Sequence, residues 1–287
     1  MRSPRWLMHD NVSFAAGSEQ EVARDVVLES VEFTGARGVL RGTLYRPDCV
    51  ALDAKGIPAV LLSHGFGSNR LESGIFVSLG RALASSGVAA FAVDRTGQGE
   101  SDGSFFDDTV ERDVDDVERV LAGVRNREDV DADDVHLVGV SLGAVVTTIV
   151  AARNPSAIAS ISLLSTACSF ADEIRSGYLQ GKPLSVIDEQ GYLDFYGCRL
   201  GSAIIDSANR IDPFGAARGY AGPVRILHGG RDFIPVEYVR RYESVYGRQA
   251  QLTIRPTADH GWANVTDREF AIAEVVRFIV ERSRRSA

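Results

Sequence analysis

Cysteine is scarce in this sequence of 287 residues: Cys49, Cys168 and Cys198 are the only three, widely spaced and without a Cys-x-x-Cys pair. That spacing excludes a disulfide framework and a cysteine-based zinc site, and it suits a reducing compartment. We therefore interpret the three thiols as buried or incidental. Lysine is scarcer still, and since Lys55 lies in a polar linker, a buried lysine that forms a Schiff base is not expected.

Long apolar runs and an excess of basic residues are also missing. The apolar run at residues 6–8 is too short for a signal-peptide core, and no stretch reaches the roughly 18 apolar residues of a membrane helix. The 31 basic and 39 acidic residues give a net charge of −8, which disfavours nucleic acid and anionic membranes as partners. We expect a cytoplasmic protein with a small-molecule substrate and no nucleic-acid or membrane partner. Whether it forms a homodimer is left open.

Hydrophobic patterning predicts an α/β fold. Residues 24–47 alternate polar and apolar positions around a glycine-containing break, which is typical of an antiparallel hairpin. Five short apolar runs follow, and each ends in Gly, Ser or Asp, as strands buried on both faces of a parallel sheet do. Helix-period segments separate them, the clearest being residues 110–125 with Thr109 as N-cap. The sequence therefore predicts a mostly parallel, doubly wound sheet with an N-terminal antiparallel hairpin.

One interval, residues 170–220, breaks the alternation of strands and helices. It has no long periodic helix, and its aromatic residues lie among glycines. We interpret it as a lid inserted over the strand ends. The predicted organisation is an N-terminal extension at 1–22, a core at 23–169 and 221–287, and this lid. Because pockets are largely lined by apolar and aromatic groups, Tyr192, Phe195 and Tyr196 are candidate substrate-binding residues.

The strongest chemical motif is Gly139-Val140-Ser141-Leu142-Gly143, between an apolar strand and a helix-like run. A serine in this setting occupies a tight, strained turn, and the glycines are needed because side chains there would collide with the strand and the helix. The hydroxyl is thereby pushed into the site at a helix N-terminus, where developing negative charge is favoured. This pattern indicates a nucleophilic Ser141, with a glycine-rich structural turn as the alternative.

A serine nucleophile needs a base that a third group orients. Of the five histidines, only His260 follows a late strand in a loop from which its ring could reach Ser141. The acid is Asp232 or Asp259; we favour Asp232 because neighbouring loop residues seldom point at each other's ring nitrogen. The order serine, acid, histidine is the one expected for this architecture. Trp262, two residues after His260, joins the candidate substrate-binding residues.

An acyl-transfer site also needs two backbone donors for the oxyanion. The N–H of Leu142 is one candidate, and the N–H of Phe66, in a glycine-containing loop after an apolar strand, is the other. The glycine-containing stretch at 94–101 matches no nucleotide-binding motif, and we predict that it braces the oxyanion loop. No residues occur at metal-ligand spacing, so we expect neither a metal nor another cofactor.

With these residues in place, the chain resembles the α/β-hydrolases from about residue 26 to residue 279. The motifs that carry this resemblance are HGF at 64–66, DRTGQGES at 94–101, GVSLG at 139–143, HGGRDFIPV at 228–236 and ADHGW at 258–262. More narrowly, SDGSFFDDT at 101–109 and the lid with its stretch GYLDFYGCRLGSAII resemble bacterial feruloyl and cinnamoyl esterases. Those esterases commonly have His before the nucleophile and Gln after it, where this chain has Val140 and Leu142.

The resemblance implies the same triad and the same two oxyanion donors. The leading hypothesis is a cofactor-free carboxylesterase for an ester of a small, partly aromatic or apolar acid. A thioesterase, a lactonase and an amide or peptide hydrolase remain open, because the acyl-enzyme is common to all of them. A binding protein that uses this scaffold without turnover is the alternative from another class.

Overall fold

The computed structural model describes residues 25–48 and 56–286, with side chains up to residue 283. The predicted N-terminal extension at 1–22 and Cys49 lie outside these residues. The main sheet has eight strands in the order β1-β2-β4-β3-β5-β6-β11-β12. These strands are β1 (Val26–Gly35), β2 (Gly38–Pro47), β3 (Ile57–Ser63), β4 (Ala89–Val93), β5 (Val130–Val140), β6 (Ser160–Leu164), β11 (Val224–Gly229) and β12 (Ala250–Arg255).

Helices cover both faces of this sheet. They are α1 (Ile75–Ser85), α2 (Val110–Arg125), α3 (Leu142–Arg153), α8 (Val236–Tyr246) and α9 (Val265–Ser286). Apolar residues of α2, α3 and α8 pack in one core, and those of α1 and α9 pack in a second core on the opposite face. Strands β4 and β6 are buried along their whole length, as a strand between two helix layers must be.

The strand pairing agrees with the sequence-based prediction. β1 and β2 form an antiparallel hairpin, and β2 pairs antiparallel with β4. The other strands of the sheet are parallel to β4 and to one another; they are β3, β5, β6, β11 and β12. The predicted N-cap of α2 is also confirmed, because the Thr109 hydroxyl accepts a hydrogen bond from the N–H of Arg112. The fold is therefore the predicted doubly wound α/β sheet with an N-terminal hairpin.

Between β6 and β11 the chain forms short elements only. They are α4 (Phe170–Arg175), β7 (Tyr178–Leu179), β8 (Lys182–Pro183), α5 (Val186–Gln190), β9 (Leu193–Phe195), β10 (Cys198–Leu200), α6 (Ala203–Arg210) and α7 (Pro213–Ala217). The strands pair as two separate antiparallel hairpins, β7 with β8 and β9 with β10. The last helix, α7, packs on the core, since the Phe214 ring lies 5.1 Å from that of Tyr242 on α8. Among the described residues, no helix is both long and apolar enough to cross a bilayer.

The start of α3 approaches the end of β3 so closely that only a residue without a side chain fits. A Cβ atom on Gly143 would overlap the carbonyl oxygens of Ser63 and His64. This close approach brings the N-terminus of α3 against the loop that follows β3. The contact therefore joins two of the loops at the carboxyl edge of the sheet, where ligands bind in folds of this kind.

We expect Gly143→Ala to lower the free energy of unfolding by about 1–3 kcal/mol or more, because backbone must move to admit the methyl group. Gly261→Ala is the matched control, since a Cβ there meets no atom within 4 Å. Thermal and denaturant unfolding of the two variants measure the difference. Equal stability of Gly143→Ala and the parent protein would contradict the packing described.

Candidate active site

Ser141 lies in a strained turn between β5 and α3. Its backbone has φ 55° and ψ −122°, a region that residues with a side chain rarely adopt, at a cost of about 1–3 kcal/mol. A Cβ on Gly139 would overlap the backbone of Gly143 and Ala144, so the turn requires glycine there. The Ser141 N–H donates to the carbonyl of Leu164 on β6. The neighbouring strand thereby holds the turn, and the hydroxyl stands at the N-terminus of α3.

His260 and Asp232 complete a hydrogen-bonded chain with this hydroxyl. The His260 Nε2 atom lies 3.0 Å from the Ser141 Oγ atom. On the other side of the ring, Nδ1 lies 2.8 and 3.0 Å from the two carboxylate oxygens of Asp232. The three side chains come from loops after β5, β11 and β12. The predicted convergence of these residues is therefore observed.

The surroundings of Asp232 favour its ionised form. Burial alone would raise the pKa of this carboxyl, but the hydrogen bond and charge of His260 and the N–H of Ile234 outweigh burial and leave the pKa below its usual range. The rival acid, Asp259, instead accepts the N–H of Ala263 at 2.9 Å and closes its own turn. Asp232 is thus the carboxylate that orients the His260 ring.

The other described histidines are buried in the sheet and bonded locally. His136 lies 2.7 Å from the Ser160 hydroxyl, and His64 accepts the N–H of Arg95 at 3.2 Å. His228 lies 3.0 Å from the carbonyl of Ile234. Burial lowers the pKa of His64 and of His228, which favours the neutral ring in both.

The two predicted oxyanion donors belong to loops that meet at Ser141. Leu142 is the first residue of α3, where a backbone N–H has no acceptor within the helix. The loop after β3 lies against Ser141, since a Cβ atom placed on Gly65 would be only 3.4 Å from the Ser141 Cβ atom. Phe66 follows directly in that loop. The loop that contains Phe66 therefore lies beside Ser141, and the two oxyanion donors stay a prediction.

Two charged side chains, the half-buried Glu72 and the buried Arg95, fix the peptide groups around Gly65. The Glu72 carboxylate accepts the Gly65 N–H at 2.5 Å, and the Arg95 guanidinium donates to the carbonyls of His64 and Gly65. Asp113 accepts from the same guanidinium at 2.7 Å. The sequence predicted that residues 94–101 brace this loop, and the contacts of Arg95 confirm it. Sequence reasoning missed Glu72, because no motif distinguishes it.

Glu72 is held in an unusual environment. Burial raises the pKa of its carboxyl, against the effect of the hydrogen bonds from Gly65 and Ser68. Its backbone and that of Ser73 have φ values of 43° and 51°, in the left-handed region. The Arg268 guanidinium donates to the carbonyls of Ser73 and Trp262, at 3.0 and 2.9 Å. Arg268 therefore ties the Glu72 segment to the loop that carries His260.

A small pocket of about 20 Å³ opens next to Ser141. Its wall is mostly apolar, with three polar side chains from the segment after β6. The residues that line it are Phe66, Ser141, Leu142, Ala167, Ser169, Phe170, Glu173, Leu179, Gln180, Phe233 and Ile234. Phe233 is 60% exposed, and its ring centroid lies 4.3 Å from that of His260. In the sequence, only the position of Phe233 directly after Asp232 indicates that Phe233 could lie at the site.

None of the four candidate substrate-binding residues lines this pocket. Trp262 is 1% exposed and donates its indole N–H to Ser165, so its contacts are within the core. Phe195 is also buried, and its ring centroid lies 4.9 Å from that of Phe66, so it packs against a residue of the pocket wall. Tyr196 is exposed and bonds Gln180, while Tyr192 packs against a guanidinium. The structure thus corrects the prediction: other residues of the segment form the wall.

The comparisons with known proteins agree with this geometry. The profile of the family described as Hydrolase_4, Serine aminopeptidase, S33, matches residues 55–185, less than half of the chain. The structure of Est1E from Butyrivibrio proteoclasticus with ferulic acid bound superposes with a TM-score of 0.78 at 24% identity, over 88% of this chain and 98% of Est1E. No curated protein matches.

Two further solved structures share the topology. The esterase domain of a Rhodothermus marinus protein has a TM-score of 0.65 at 18% identity, over 90% of this chain and 99% of that domain. The mouse alpha/beta hydrolase domain-containing protein 10 has a TM-score of 0.64 at 20% identity, over 89% and 99%. The chain has the α/β-hydrolase fold. Among structures with this α/β-hydrolase fold, it resembles Est1E, whose structure was solved with ferulic acid bound.

Replacement of Glu72 should separate its role as an acceptor from its role as a charge. Glu72→Ala removes the acceptor of the Gly65 N–H, and we expect the kcat for p-nitrophenyl acetate to fall about 10- to 100-fold with little change in KM, because the adjacent N–H of Phe66, the predicted oxyanion donor, would lose its position. Glu72→Gln keeps an acceptor oxygen and should retain most of the kcat. Thermal melting checks that both variants fold. A folded Glu72→Ala variant with the parent kcat would contradict this prediction.

Proposed function

We propose that this chain is a serine hydrolase, a carboxylesterase that cleaves an ester of a small, partly aromatic or apolar acid through an acyl-enzyme. The observation that supports it most is the chain of contacts from the Ser141 hydroxyl through the His260 ring to Asp232, with distances of 3.0 and 2.8 Å. Nucleophile, base and orienting acid are the minimum that this chemistry needs.

In this mechanism the Ser141 oxygen attacks the ester carbonyl carbon while His260 Nε2 takes the hydroxyl proton. The tetrahedral oxyanion accepts hydrogen bonds from the N–H groups of Phe66 and Leu142. His260 then protonates the leaving alcohol oxygen as the carbon–oxygen bond breaks. Water, deprotonated by the same ring, attacks the acyl-Ser141 ester and releases the acid. Asp232 stays ionised throughout and stabilises the imidazolium.

The polarity of the substrate follows from the pocket lining. Phe66, Phe170, Leu179 and Phe233 offer apolar and aromatic surface beside Ser141, which favours an apolar or aromatic group. The fold neighbour Est1E binds ferulic acid, an aromatic acid. We further propose that residues 170–220 act as a lid, since α4 and the β7–β8 hairpin contribute pocket residues.

Ser141→Ala should abolish hydrolysis of short p-nitrophenyl esters, since no other group can carry the acyl intermediate. The expected loss is about 10³-fold or more in kcat/KM, with folding unchanged by circular dichroism. Ser169→Ala, from the pocket wall, is the matched control for loss of a hydroxyl. Turnover by Ser141→Ala equal to that of the parent protein would refute the assignment.

A binding protein on the same scaffold would behave differently in a second measurement on these variants. A fluorophosphonate probe should label the parent protein and Ser169→Ala, and should leave Ser141→Ala unlabelled, because only an activated serine reacts. Absence of labelling in the parent protein would favour the binding-only alternative.

An amide or peptide hydrolase is the second candidate, and the match to the serine aminopeptidase profile over residues 55–185 favours it. These activities are distinguished by measuring hydrolysis of derivatives of one acid: its ester, its thioester, its amide and, where one exists, its lactone. We expect the ester to have the highest kcat/KM relative to its uncatalysed rate. A larger enhancement for the amide would replace the esterase proposal with the amidase one.

A further inference from the structure

One wall residue of the pocket, Glu173, has no function in the mechanism. It lies on α4 and is half-buried, and it lines the same pocket as Ser141. Its carboxylate accepts the N–H of Gln180, at the turn of the β7–β8 hairpin. Burial raises the pKa of the Glu173 carboxyl, against the effect of hydrogen bonds from Gln180 and Gly181.

Glu173 has no cation beside it, in contrast to Asp232 and the neighbouring Asp172. Asp232 is bonded to His260, and the adjacent Asp172 pairs with Arg175 at 3.0 Å. No arginine or lysine nitrogen of the described residues lies within 4.0 Å of Glu173. Lys182, from the same hairpin, lies over the Tyr196 ring, 5.4 Å from its centroid. The negative charge of Glu173 is therefore not neutralised by an ion pair.

Apolar side chains line the same pocket as this carboxylate. Phe66, Phe170 and Leu179 share its wall, so part of the surroundings of the half-buried Glu173 is apolar side chain and not solvent. An effective dielectric constant below that of water strengthens repulsion between like charges at short range. A second anion inside this pocket is thus disfavoured, whereas a neutral or cationic group is not.

We propose that Glu173 is a specificity-determining residue that excludes anions from the pocket, so that the substrates are esters whose pocket-bound group is neutral or positively charged. This inference rests on the proposed function. If the acyl part of the substrate enters the pocket, monoesters of dicarboxylic acids are excluded. If the alcohol part enters, esters whose alcohol part carries an acidic group are excluded.

Two pairs of isosteric substrates test the charge preference on each side of the scissile bond. The acyl pair is the mono-p-nitrophenyl ester of glutaric acid and the corresponding ester of glutaramic acid. The alcohol pair is 4-acetoxybenzoate and 4-acetoxybenzamide. In the parent protein we expect the neutral member of at least one pair to have a kcat/KM roughly tenfold or more above that of its anion.

Glu173→Gln should reduce that ratio by about tenfold, since the amide oxygen still accepts the Gln180 N–H while the charge is lost. Glu189→Gln, an exposed acid on α5, is the matched control and should leave the ratio unchanged, because solvent screens its charge. Thermal melting checks both variants. A ratio that is the same in Glu173→Gln and the parent protein, for both pairs, would overturn the inference.

Binding of amide analogues to proteins that also carry Ser141→Ala keeps this test independent of turnover. Calorimetry with 4-acetamidobenzamide and 4-acetamidobenzoate, and with the neutral diamide of glutaric acid and the anion glutaramate, should show the same preference for the neutral member and its loss when Glu173→Gln is added. If the parent protein hydrolyses none of the esters, the proposed function fails while the binding ratio still decides the role of Glu173. Equal binding ratios in the two proteins would contradict that role.

Discussion

The contact between the Ser141 hydroxyl and the His260 ring joins residues 119 positions apart in the chain. It forms only because parallel strands bring their carboxyl ends to one edge of the sheet, where the loops after β5, β11 and β12 meet. Asp232 anchors the ring from the loop after β11. The rest of the site is arranged around this contact, and any change that moves one of the three loops separates the base from the nucleophile.

Rigid support for the contact comes from side chains that do not touch the nucleophile. Glu72 accepts a hydrogen bond from the N–H of Gly65, and Arg95 donates one to the carbonyl of Gly65. Arg268 ties the Glu72 segment to the loop of His260. Each of these is a hydrogen bond from or to a charged group, a class that is stronger than the neutral kind. These bonds hold the loops on either side of the site, and the strained backbone at Ser141 is held separately by the hydrogen bond from its N–H to the Leu164 carbonyl.

The sheet, the strained turn at Ser141 and the contacts of Ser141 with His260 and Asp232 could be predicted from the sequence, because their signals are local. Buried strands show as short apolar runs, and the turn at Ser141 needs glycine at fixed offsets. The pocket wall was not accessible in this way: Tyr196 and Phe195 carry a clear aromatic signal, yet Phe170 and Glu173 form the wall. Which short element of residues 170–220 faces the site depends on how the hairpins pack, and composition does not determine packing.

Peptide mapping after acid quench tests the nucleophile most directly. The protein is mixed with p-nitrophenyl acetate, quenched within the first turnover and digested, and the acetylated peptide is identified by mass spectrometry. We predict the acetyl group on Ser141 in the parent protein and little or no acetylated Ser141 in His260→Ala, which lacks the base for acylation. An acetyl group carried by another residue, with Ser141 unmodified, would contradict the assignment of the nucleophile.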